Sequence, residues 1–405
     1  MPAGVSASPS ISNGTLWLGD LDGNLVGLRA ADGMYRFSYN IGGNEILTTP
    51  ILMDNGLVWA TSLTGLGYLL KENGDQLEEV GRLSVMLKDR WEQRFSNDSV
   101  NLSRKLSSNS SAYDSVNRVI YIPMINNCEF DGGSFSLCDG VHWSQDLEME
   151  PSDDLMIGQL MVDDLNNISL NKIEVGLSIT QQAFFNTSLG IHTHAGKTYL
   201  VAGYYAGGAG RVTAWDVSDP ENVLPLWGGS VLLGNGEFPT GVPTFIENRV
   251  LFGTTNGSLW VLNLESEGGF DKSIQLGFGS ITNSISVSFN ENNNEGFIFA
   301  PIENGRLVAQ PFIMANDIWD FNGTSLDGWN NAANDFVRSS LALDEEHGVV
   351  YIGGDDGNLF RYEKDSGFRL AGTIQTGSPI FASPIIVGGY VFLVDSSGLL
   401  SVYSP

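Results

Sequence analysis

The sequence predicts an all-β fold: an eight-bladed β-propeller of four-stranded antiparallel blades, with seven blades as the alternative count. Three observations predict it. A short run that pairs a turn with an aromatic recurs eight times along the 405 residues. Successive aromatics lie 42, 62, 78, 53, 47, 52 and 41 residues apart, and a unit of roughly 40–50 residues with four short strands is the size of a propeller blade. Third, 49 glycines punctuate short β-branched and aromatic runs, and no stretch shows helical periodicity.

The first strand of each unit is short and is often opened by Pro or Ser, as in SPSIS, TTPILM, GVPTFI and ASPIIV. A tight turn follows. Three residues after it comes the aromatic that marks the unit: Trp17, Trp59, Tyr121, Tyr199, Phe252, Phe299, Tyr351 and Phe392. The turn position is Gly14, Gly56, Gly196, Gly296, Gly348 and Gly389 in six units, and Arg118 and Arg249 in two. Glycine suits such a turn because it adopts positive φ without a Cβ clash. The aromatic strand is apolar on both faces, as in Leu16-Trp17-Leu18, which fits sheets packed face to face.

A second turn and a third strand close the repeat: DGNLVGLRA, NGSLWVLNL, NGRLVAQPF, DGNLFRYEK and SGLLSVY. The segment Asp20-Leu21-Asp22-Gly23-Asn24 looks at first like a calcium loop. It aligns, however, with Asn256-Gly257-Ser258 and Asp356-Gly357-Asn358, and Asp-Gly and Asn-Gly are hairpin-turn pairs. An EF-hand loop also needs Gly at its sixth position and Glu at its twelfth, which are Leu25 and Ala31 here.

Two long spacings mark insertions, at about 88–111 and 126–155, around the third blade of an otherwise single domain over 1–405. Loops of such length are functional surfaces, caps or decoration. The last unit holds three strands, so a ring of four-stranded blades lacks one outer strand. The segment before Ala7, or flanking chain, is expected to supply it.

Within each unit the order resembles the PQQ-like, quinoprotein-type propeller repeat. LVGLRAADGMYRF keeps its shape, with Phe37 in the place of a tryptophan, and LFRYEKDSGFRL and TAWDVSDP are looser copies. The resemblance covers nearly the whole chain. It implies a quinone (PQQ) with calcium and a catalytic Asp in enzymatic members, and protein binding in others. The adjacent Cys-Cys pair of many enzymatic members is absent, and no calcium-ligand set can be placed. The expectation is therefore a non-enzymatic protein-interaction or scaffold module without a cofactor. A PQQ- and calcium-dependent oxidoreductase is the alternative, and a carbohydrate-binding or carbohydrate-active propeller a weaker one.

The net charge of −27 repels phosphate backbones and excludes nucleic acid as a natural partner. No apolar run is long enough to span a membrane as a helix. Cys128 and Cys138 flank a Gly-rich segment that suits a disulfide loop, with free thiols as the alternative; zinc would need two further ligands nearby. Sequons at Asn13, Asn97, Asn101, Asn109, Asn167, Asn186, Asn256 and Asn322, with that disulfide, suggest an extracellular, cell-surface or periplasmic setting. MPAGVSASPS lacks the apolar segment of a signal peptide, so a signal or anchor is expected outside this sequence.

His192 and His194 are two apart and share a strand face, a weak metal pair with no third ligand evident. His142 and His347 are expected in loops. Trp143, Trp319 and Trp329 also fall outside the repeat, in expected loops where exposed aromatics bind partners, protein or glycan. No single pair among 47 acidic residues stands out as glycosidic machinery.

Overall fold

A computed structural model describes residues 4–404 except 43–44, 63–65, 85–109, 126–128, 132–133, 137–140, 144–146, 150–153, 165–166, 179–183, 186, 207, 235, 278, 304–305, 316–317, 322–325, 331–336 and 365–366. Its strands form an eight-bladed β-propeller of antiparallel blades. Blade 1 shows the plan: Ser10–Ser12, Thr15–Gly19, Asn24–Arg29 and Tyr35–Asn40, each paired with the next. Burial follows from position. Thr15–Gly19 is buried throughout, while Tyr35–Asn40 buries Phe37 and exposes Tyr35, Ser38 and Asn40. The second strand is enclosed by neighbours on both faces, and the fourth forms the rim.

Blade 2 runs from Ile51–Leu52 to Gln76–Ser84, and blade 3 from Ala112–Asp114 to Asn167–Ser178. Blade 4 ends at Leu224–Leu232, blade 5 runs from Pro239–Ile246 to Phe270–Gln275, and blade 6 opens at Ser286–Asn290. Blade 7 runs from Ala342–Asp344 to Arg369–Gln375. Blade 8 contributes Ile385–Val387, Tyr390–Val394 and Leu400–Tyr403, three strands among the described residues.

The apolar core is divided among the junctions. Its buried residues form eight clusters, each shared by two neighbouring blades. Trp17 and Phe37 of blade 1 meet Val58 and Leu70 of blade 2, for example, and Leu16 and Leu18 meet Phe392 and Val394 of blade 8. Burying a side chain of this size contributes about 1.5–3 kcal/mol, so the stabilisation of every blade is held jointly with its neighbours.

Several expectations need correction. Gly4 and Val5 do not extend the outer edge of blade 8: the Gly4 carbonyl accepts the Leu21 amide, and Val5 bridges Asp20. Val5 is fully buried among the apolar residues of the junction between blades 8 and 1, which holds this segment on the inside. Trp143, Trp319 and Trp329 lie in strands Val141–Trp143, Ile318–Asp320 and Leu326–Asn330, and His142 is in the first of these. Trp319 is buried and stacks on Phe312, with centroids 4.6 Å apart, because its strand pairs with Arg306–Ala315 at the edge of blade 6.

All eight marker aromatics lie in second strands and are buried. Two differ in register. In most blades the marker stands two residues past the first residue paired across the hairpin, as Trp17 does past Thr15. In blade 5 that place is Leu251, because the pair is Ile246–Arg249, and Phe252 faces back towards blade 4. In blade 6 the pair is Asn290–Glu295, so Phe297 holds the place and Phe299 lies two further on the same face. Gly296 is thus a strand residue without positive φ; a Cβ there would lie 2.5 Å from the Phe312 ring.

Candidate functional site

The segments that lead into the first strands converge on the propeller axis. They enclose an open cavity of about 620 Å³ lined from every blade. At the same step in seven blades stands a hydroxyl: Ser8, Thr49, Ser110, Ser188, Ser284, Ser340 and Ser383. In blade 5 the place is taken by Gly241 and Val242, where a bulge interrupts the pairing between Thr240 and Thr244.

These residues join the blades in a belt of hydrogen bonds. The Ser340 amide donates to Ser383 Oγ at 2.8 Å, and the Ser383 amide to Ser8 Oγ at 3.2 Å. The Thr49 amide donates to Ser110 Oγ at 3.1 Å, and the Ser110 amide to Ser188 Oγ at 2.9 Å. The Val242 amide donates to Ser284 Oγ at 2.8 Å. Where the pattern lapses, other groups bridge the junction. The Ser188 amide reaches the Gly241 carbonyl, Ser10 Oγ donates to the Pro50 carbonyl, and Thr282 Oγ1 donates to the Val337 carbonyl.

One residue earlier, in blades 2, 4 and 7, small buried side chains tie the segment to its own blade. Thr187 Oγ1 accepts the Gly203 amide, and Ser339 Oγ accepts the Gly353 amide at 2.8 Å. Thr48 Oγ1 meets Thr61 Oγ1 at 2.8 Å. One residue earlier again, Arg338 and Phe381 face the cavity from blades 7 and 8. The Arg338 guanidinium carbon sits 4.9 Å from the Phe381 ring centroid, and its Nε pairs with Asp355 at 2.9 Å. Among the described lining residues Arg338 is the one cation, and none is a carboxylate.

Elsewhere, Asp20 answers the calcium question. Its buried carboxylate accepts the Asp22 amide at 3.0 Å, the Asn24 amide at 2.7 Å and the Asn24 side chain. Asp395 repeats this in blade 8, taking the Ser397 and Leu399 amides. These acids cap hairpin turns. His192 and His194 stack with centroids 6.3 Å apart, so they do share a face. His192 also stacks on Phe245 at 5.0 Å, and its Nε2 lies 2.7 Å from the Glu247 carbonyl. Burial lowers its pKa despite that hydrogen bond, and His194 lowers it further. His347 sits in a turn with Nδ1 2.9 Å from Asp344. No group of three or more metal-ligating side chains forms among the described residues. Cys128 and Cys138 lie outside the described residues, as does nearly all of the first insertion.

The channel belt was not among the sequence candidates, although its signal is in plain view. The Ser or Thr before the first strand recurs in SPSIS, TTPILM and ASPIIV, where it reads only as a strand opener.

No family model matches the chain. A curated relative, the mRNA export factor GLE2 of Chaetomium thermophilum, is 26% identical over 149 residues; the match spans 36% of this chain and 40% of that protein. Among solved structures, Saccharomyces cerevisiae Sqt1 aligns with a TM-score of 0.65 at 10% identity, over 100% of this chain and 96% of that one. The computationally designed Ika8 protein aligns with a TM-score of 0.56 at 13% identity, over 100% and 97% of the two chains. These likenesses show the propeller fold. The extracellular, cell-surface or periplasmic setting expected from the sequons is corrected by the curated relative: export of mRNA takes place inside the cell, which points away from that setting. No helix among the described residues is long and apolar enough to cross a membrane.

Proposed function

We propose that this chain is a non-enzymatic propeller of PQQ-like repeats that serves as a protein-interaction or scaffold module without a cofactor. The observation that carries the reading is where the fold is elaborated. The second insertion leaves blade 3 and lays strand Val141–Trp143 along Gln76–Ser84, with Leu147–Met149 beyond it, so that the sheet of blade 2 has six strands. Blade 3 itself carries the long outer strands Asp154–Asp164 and Asn167–Ser178. A wall broadened at two adjacent blades, on a ring fixed at every junction, is how a rigid scaffold presents a recognition surface. The partial likeness to an mRNA export factor supports a protein partner over a glycan.

Quantitative cross-linking of the intact protein in extract of its own cells tests this. Protein cross-links concentrated on blades 2 and 3 are expected. Cross-links spread evenly around the rim would overturn the assignment of the surface. Calorimetric titration with calcium and PQQ, beside a dye-linked alcohol and sugar oxidation assay, is expected to be silent. Calcium-dependent PQQ binding with turnover would instead establish the oxidoreductase reading.

A further inference from the structure

We propose that the central channel binds an oxyanion, a carboxylate or phosphate held between the hydroxyl belt and Arg338. A serine hydroxyl has one proton to donate and two lone pairs to accept with. Ser8, Ser110, Ser188, Ser284 and Ser383 each spend acceptor capacity on a backbone amide. Among the described residues none of these five hydroxyls donates to a protein acceptor. Their protons are therefore the free half of each group, and all five line one cavity.

Arg338 adds to the same sense. One of its nitrogens is engaged by Asp355, the guanidinium lies over the Phe381 ring, and its terminal nitrogens have no hydrogen-bond partner among the described residues. Among the described residues the cavity is thus rich in donors, carries a cation and has no lining carboxylate, although the whole protein has a net charge of −27. A lining of donors is best completed by a group that only accepts. Carboxylate and phosphate do so, and charge-assisted hydrogen bonds to them are the strong kind. A neutral polyol can also accept from the belt, but its own protons then need acceptors and it carries no charge to meet Arg338. Asp355 offsets part of the Arg338 charge, and more remote surface carboxylates oppose an anion weakly at physiological salt, where screening acts within about 8 Å.

The inference is independent of the scaffold reading, since it concerns the axis and not the wall of blades 2 and 3. It is tested by calorimetric titration of the intact protein, in 0.15 M salt, with citrate, inorganic phosphate, a hexaglutamate peptide and, as the neutral control, sorbitol. Saturable binding of at least one anionic probe is expected, and none of sorbitol. Arg338→Gln should weaken anion binding roughly tenfold, the loss of one charge-assisted hydrogen bond. Ser340→Ala removes a lining hydroxyl that accepts no belt amide, so the ring stays joined; it should weaken binding by about fivefold. Tighter binding of hexaglutamate than of citrate would assign the oxyanion to an acidic protein segment, and the reverse to a free anion. Equal affinity of wild type and both variants, saturable sorbitol binding, or silence with every anionic probe would overturn the proposal.

Discussion

A single carboxylate shows how residue chemistry is spent in this molecule. Asp20 sits at the end of a second strand, buried, with both oxygens engaged by the turn that follows. Replacement by Ala leaves the Asp22 and Asn24 amides without their acceptor inside a protein-lined corner. Asp20→Ala is therefore expected to lower stability by about 1–3 kcal/mol, read as a lower urea midpoint with an unchanged slope. Millimolar calcium should leave the midpoint of the wild type where it is. Turn identity was legible in the sequence because Asp-Gly pairs have few other uses. The capping role of Asp20 was harder to see, since an acid two residues ahead of Asp-Gly also begins many calcium loops.

At the scale of the element, the informative blade is the fifth. Its axial position holds Gly241 at φ +71°, where the other blades place a hydroxyl residue. A Cβ there would lie 2.4 Å from the Ser284 amide nitrogen and 2.6 Å from the Asn283 carbonyl carbon, both backbone of blade 6. Side-chain rotation cannot relieve that contact. Gly241→Ala must push the two blades apart or flatten the bulge, and about 2–4 kcal/mol of destabilisation is expected in chemical denaturation. A loss below about 0.5 kcal/mol would show that the bulge yields freely. The sequence conceals this. Gly241 falls in GVPTFI, where it reads as an ordinary strand start, and its demand arises from a segment about 40 residues away. A different cause, turn length, moved the markers of blades 5 and 6. Counting from Arg249 and Gly296 assumes one turn length, whereas the two hairpins close at Ile246–Arg249 and Asn290–Glu295. The repeat is legible because packing between blades requires a bulky residue at each interval. Its register depends on turns of variable length.

At the scale of the whole molecule, eight junction clusters replace a single core. Phe392 stands in the cluster that joins the last blade to the first, 5% exposed beside Leu16, Leu18 and Val394. Phe392→Ala is expected to cost about 3–5 kcal/mol. Because each sheet is buried only by its neighbours, the loss should appear in hydrogen exchange as faster opening in blades far from the substitution. Faster exchange confined to blades 8 and 1 would contradict that account. The architecture was open to sequence reasoning because periodic spacing survives divergence in individual residues. The bonds of the axial belt were not, although its residues recur before the first strands, because each bond joins residues from different repeats.

The belt has a sense of rotation. In each of its five amide-to-hydroxyl links, the donor lies in one blade and the acceptor in the next around the ring, in the same sense. A hoop laced this way answers strain tangentially. A ligand that widens the axis stretches every link a little before any one breaks, so the load is divided around the circumference. Occupancy of the channel should then register at the outer wall of blades 2 and 3 as a slight change of diameter, with no blade turning on its own.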